Sequence, residues 1–175
     1  MKRLLFFLLC NLTVITCFSQ HLTYNDFTKL SKINSISAIN NYMSTRGYTY
    51  RGIRTEKTRT RMFWTNNCWI TDFNGLEFNF EWNTGELRSV MTLCIDDSTM
   101  YYLYELPSKS AYNTFKVAIK NNGYRYIRDG VSTNGYIYQI FIRQRKGFRD
   151  EVDLYDKGNG AYFCNLFFNI KKRSP

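Results

Sequence analysis

Two changes of period divide the chain. Between Ser35 and Gly47, apolar residues recur at helical spacing: Ile36, Ile39 and Met43. Ser35 can cap the start, and Gly47 can take the left-handed position that stops the helix. A second helical segment opens at Pro107 with Ser108 or Ser110. Its face is Tyr112, Phe115 and Ile119, and Gly123 closes it. After each glycine the period becomes two. Strands are predicted at 48–51, 61–71, 76–82 and 87–95, then at 124–128, 135–143, 151–155 and 161–171. In 76–82, Leu76, Phe78, Phe80 and Trp82 alternate with Glu77, Asn79 and Glu81, so each strand offers one apolar face. Turn signals fall at Asn74-Gly75, Asp129-Gly130 and 157–160.

The two halves repeat. "RGYTY" at 46–50 returns as "NGYRY" at 122–126, an offset of 76. At that offset Ile39 meets Phe115, Met43 meets Ile119, and Met62 and Trp64 meet Tyr138 and Ile140. Upstream, Phe27 and Leu30 meet Leu103 and Leu106; downstream, Leu76 and Phe78 meet Val152 and Leu154. A slip to 75 at Gly85 and Gly160 lets Leu87, Met91, Leu93 and Ile95 meet Tyr162, Leu166, Phe168 and Ile170. The predicted fold class is α+β. It consists of two tandem repeats, 20–98 and 99–175, each a helix plus a four-stranded antiparallel sheet, packed as one body.

Composition narrows the setting. Lys2 and Arg3 precede the apolar run "LLFFLLCNLTVIT", and "CFSQ" follows. Residues 1–19 read as an export signal cleaved before Gln20, which puts the protein in the periplasm or outside the cell. A lipid anchor at Cys17 is the second reading, disfavoured by Thr16 before it. No long apolar run remains to span a membrane. The net charge of +10 falls to +8 when Lys2 and Arg3 leave with the signal, which favours anionic partners. Cys68, Cys94 and Cys164 remain, an odd number that cannot all pair within one chain.

Tandem helix-plus-four-strand units of this length resemble β-lactamase inhibitory protein. That resemblance implies a sheet surface gripping a protein partner. It is one of architecture, and no contact residue of that family carries over. The Gly47-Tyr48 and Gly123-Tyr124 strand entries are also similar to those of small secreted Bacteroidetes proteins of unassigned function.

Catalytic chemistry finds little footing. The one histidine, His21, follows the predicted cleavage point, which leaves no Ser-His-Asp or Cys-His system. No Cys/His zinc site, calcium loop or phosphate loop is present in the sequence, so no metal or cofactor is expected. Glu77 and Glu81 would lie about 13 Å apart along one strand, too far for a glycosidase pair. Acids also cluster at Asp150, Glu151, Asp153 and Asp156.

The basic run is the stronger signal. Arg51, Arg54, Arg59 and Arg61 are interleaved with or flanked by Tyr48, Tyr50, Trp64 and Trp69. Cations beside aromatic platforms suit an acidic protein or an anionic polymer. Export disfavours nucleic acid. Trp69, Phe63, Phe163 and Phe167 fall on the strand face opposite the main apolar one. The expected function is therefore a non-enzymatic binding protein, inhibitor-like in architecture, using a sheet face or the loop at 51–61. The alternatives are a hydrolase of extracellular polymers using carboxylates on a sheet face, and a structural envelope component.

Overall fold

The computed structural model describes residues 21–66, 68–74, 77–82, 89–96, 99–158 and 160–171, with the backbone alone described in 68–74, in 77–82 and at 171. The expected leader and the lipidation position lie outside these residues.

Three helices form where side chains satisfy the free N-terminal amides. α1 (Tyr24–Leu30) begins at a reciprocal cap: Thr23 accepts from the Asp26 amide, and Asp26 accepts from the Thr23 amide. α2 (Ile36–Thr45) and α3 (Lys109–Asn121) start at Ser35 and Ser108, whose hydroxyls accept from the Ala38 and Ala111 amides. Both end as predicted, at Gly47 (φ +77°) and Gly123 (φ +83°), which hold the left-handed conformation. Ile39 and Met43 of α2, and Tyr112, Phe115 and Ile119 of α3, point into the core.

Eight strands make one antiparallel sheet: β1 (Thr49–Glu56), β2 (Arg59–Asn66), β5 (Ser89–Asp96), β6 (Thr99–Leu106), β7 (Arg125–Val131), β8 (Ile137–Arg145), β9 (Phe148–Asp156) and β10 (Tyr162–Lys171). Their order is β1-β2-β5-β6-β10-β9-β8-β7. Each group of four is a meander preceded by helix. The two meanders join edge to edge through β6 and β10, with Tyr104 opposite Cys164. β3 (Cys68–Asn74) and β4 (Glu77–Trp82) form a separate hairpin inserted between β2 and β5.

The outer strands keep the repeat to the residue. A bulge interrupts β1 between Tyr50 and Gly52, and β7 between Tyr126 and Arg128. Arg51 and Ile127, the extra residues, stand 76 apart. The inner strands break the offset. The predicted strand at 61–71 is divided between β2 and β3, and 77–82 of the predicted 76–82 belongs to the side hairpin, so neither β3 nor β4 corresponds to a strand of the second meander. Thr99–Leu106, not predicted as a strand, is β6. Its alternation buries Tyr102, Tyr104 and Leu106. Leu103 and Leu106 therefore do not match Phe27 and Leu30, which sit on α1. Asp129-Gly130 is not a turn: it lies within β7, and the chain reverses at 132–136, where the Ser132 amide donates to the Tyr136 carbonyl.

All three helices share one apolar core with one face of the sheet. Phe27, Leu30, Met43, Phe115 and Ile119 pack with Trp64, Met91, Tyr102, Tyr104 and Leu166. Phe27 stands between the Tyr102 and Tyr104 rings at 5.7 and 5.2 Å. The core is threaded by tyrosine hydroxyls. The Leu22 amide donates to Tyr104 Oη at 3.0 Å, and Tyr24 Oη donates to Tyr124 Oη at 3.3 Å.

Candidate binding face

Strand alternation sorts the predicted site residues between two faces. Residues directly opposite across a ladder share a face. Arg54 faces Arg61, and Glu56 faces Arg59. Arg51, the bulge residue, donates from Nε to Thr65 Oγ1 at 2.8 Å. These four arginines therefore lie on the face away from the helices, called here the open face. The predicted loop at 51–61 is two strands joined by Lys57 and Thr58, with Lys57 at φ +45°. Its charges are partly paired: Arg54 Nε with Glu56 at 2.8 Å, and Arg59 Nη2 with Asp96 at 3.1 Å.

The aromatics of the motif go elsewhere. Tyr48 is buried in the core, where its hydroxyl bonds those of Ser89 and Tyr104; burial pushes its pKa up to about 12. Trp64 is fully buried, its Nε1 donating to Asn40 Oδ1 at 2.8 Å. Tyr50 is exposed but rests on Trp64, on the helix side. The bulge at Arg51 switches the parity of β1, which leaves Tyr48 and Tyr50, with Trp64, on the face opposite Arg54 and Arg61, so they are no platforms for the basic cluster. The Trp69 side chain lies outside the described residues. Phe63, Phe163 and Phe167 do fall on the open face. Phe63 is fully buried there, and Phe167 stacks on Tyr101 at 4.9 Å.

The centre of the open face is grooved. One groove of about 520 Å³ runs from Arg61 over Thr92 and Leu103 to Asn165 and Lys157. A second, about 230 Å³, continues beneath the 132–136 loop to Tyr136 and Tyr155. Leu103, Asn134, Lys157, Phe163 and Asn165 line both. The Asn165 side chain is held in place by donating to Tyr155 Oη at 3.1 Å. Lys157 was legible only as the start of the 157–160 turn and Asn134 not at all, since neither position has a period that points to a ligand. Asn165 lies between Phe163 and Phe167 on the same face, and nothing in the sequence singled it out.

Two buried acids differ in role. Asp150 is fully buried on the helix side, between Arg143 and Arg145 at 2.7 and 2.6 Å, and accepts the Asn169 amide. Burial alone would raise its pKa, but these donors hold it below the ordinary carboxylate value. Asp153, on the open face opposite Asn165 and Ile140, has no arginine partner and its Oδ1 has no hydrogen bond. Burial, then the neighbouring Glu151, pushes its pKa up to about 7. Cys94 and Cys164 are both buried free thiols, raised by burial; the Cys68 side chain is outside the described residues. Among the described residues no cluster of His, Cys, Asp and Glu could hold a metal ion.

No protein-family model, curated protein or solved structure matches this chain.

Proposed function

We propose that the protein is a secreted or periplasmic binding protein without catalytic activity. It contacts an acidic partner, a protein or an anionic polymer, through the open face of its sheet. One observation carries the reading. The helices cover the other face, while the open face keeps a groove bordered by cations. The arginines at its β1–β2 end speed encounter and orient an acidic surface. The architecture supports it too: helix-plus-four-strand halves in tandem resemble β-lactamase inhibitory protein, whose sheets grip a protein. The leader read at 1–19 supports export. No described helix is long and apolar enough to cross a membrane.

The test is retention of partners by the tagged chain lacking residues 1–19, from envelope and culture-fluid extract, through washes of rising salt. A partner retained at high salt is expected, with retention weakened about tenfold by combined Arg54→Ala, Arg59→Ala and Arg61→Ala substitution. Retention of polyanions alone, all shed as salt rises, would reduce the face to its net charge and sink the reading.

A hydrolase reading draws on one observation. Glu151 and Asp153 share the open face two residues apart, about 7 Å by strand rise, and Asp153 titrates near neutrality. Glu151, however, is paired with Arg149 at 3.3 Å, and Asp153 is only 6% exposed. Polymer hydrolysis abolished by Asp153→Asn would favour this reading over the binding one.

A further inference from the structure

The joined grooves have a chemistry of their own. Lys157 Nζ sits 4.4 Å from the Phe163 ring centre and 4.6 Å from that of Tyr136. Two rings orient the ammonium without neutralising it. At the other end Arg61 lines the groove, and its Nε is buried with no hydrogen-bond partner. The Arg61 side chain is only partly buried, so its guanidinium charge attracts an anionic group brought into the groove. Between the cations lie two side-chain amides, Asn134 and Asn165, the hydroxyl of Thr92 and the carboxylate of Glu105.

This set suits a particular ligand. Two separated cations call for acidic groups. Two cations set apart by uncharged amides and a hydroxyl match a ligand whose charges are spaced along it better than one charged all along its length, such as polyphosphate. Amides and hydroxyls both donate and accept, as a sugar ring requires. We propose that the groove binds an acidic saccharide, a chain of hydroxyl-bearing sugar units with carboxylate substituents. Arg61 and Lys157 hold the carboxylates, while Asn134 and Asn165 hold the hydroxyls. The assignment rests on the binding role proposed above and names its partner class.

The test is calorimetric titration of the full mature chain at physiological ionic strength with short oligogalacturonate. Neutral oligogalactose, inorganic polyphosphate and a polyglutamate peptide serve as comparisons. Oligogalacturonate is expected to bind best. Lys157→Gln and Arg61→Gln should each weaken it at least about tenfold, as loss of a charged hydrogen bond does. Lys120→Gln, on the exposed side of α3 away from the open face, should change it less than about threefold. Lys157 lies in a surface turn, so its variant reports on binding even if Arg61→Gln folds poorly. The saccharide assignment is overturned if polyphosphate or polyglutamate binds as well as oligogalacturonate, or if Lys157→Gln leaves affinity unchanged. It is also overturned if oligogalacturonate fails to bind while a protein partner is still retained at high salt. In that last case the binding role stands and only the ligand class falls.

Discussion

At the residue scale, burial without a partner and burial with one give opposite pH behaviour. The Asp153 pKa is raised on folding, from 3.8 to about 7. Between these values the folded chain holds a proton that the unfolded chain has released. The contribution is full below about pH 4 and is lost as pH rises toward 7. Asp26 and Asp150 act in the other sense. Burial would raise Asp26, but Tyr42, Thr23 and Arg46 outweigh it and hold it below its ordinary value. Their stabilisation is present above pH 4 and lost as pH falls through their lowered values. Asp153→Asn should therefore raise the melting temperature at pH 8 and leave it nearly unchanged at pH 4.5. Thermal melts across that range check this, and an equal shift at both pH values would contradict it. Asp150→Ala should cost about 3–5 kcal/mol in chemical denaturation, because it strands two arginines around a buried site. Tyr48 and Trp64 show how the sequence misleads at this scale. Both are amphipathic, and either a platform or a hydrogen-bonded core role fits their composition. Only the position of each on its strand decides.

At the scale of elements, local signals with a period were legible and insertions were not. Helix ends followed from Ser35, Ser108, Gly47 and Gly123, because caps are set by neighbouring backbone groups. The outer strands followed the 76-residue offset down to their bulges. The inner strands did not, because the β3–β4 hairpin reads locally like a sheet strand: alternation reports that a strand exists, not which sheet it joins. Gly130 looked like a turn residue for a similar reason. It lies instead beneath the Tyr138 ring, where an added Cβ would stand 2.5 Å from Tyr138 Cζ. Tyr138 in turn stacks on Tyr155 at 4.5 Å. Gly130→Ala should therefore cost about 1–3 kcal/mol by overpacking. Combining it with Tyr138→Ala should relieve much of that cost, and a double-mutant cycle in denaturant measures the coupling. Additive costs would mean that the ring does not set the requirement for glycine.

At the scale of the whole molecule, eight strands in one sheet with helices on one side leave a grooved second face, itself buried at Phe63, Cys94 and Asp153. The basic residues were legible as a group, and the structure gathers Arg51, Arg54, Arg59 and Arg61 on that open side. The groove beside them was not legible, because it is assembled from β2, β5, β6, β10 and the 132–136 loop, segments far apart in sequence. The central claim is that contact is made by the open face. The most direct measurement compares partner retention by two single-charge variants of equal sign. Leu103→Glu places an anion on the groove floor, where it repels an acidic partner. Val117→Glu places one on the exposed side of α3, where Val117 is 57% exposed. Both should keep the native circular dichroism spectrum. Retention lost in Leu103→Glu and kept in Val117→Glu is the predicted result. Retention kept in Leu103→Glu and lost in Val117→Glu would move the binding surface to the helices and contradict the account.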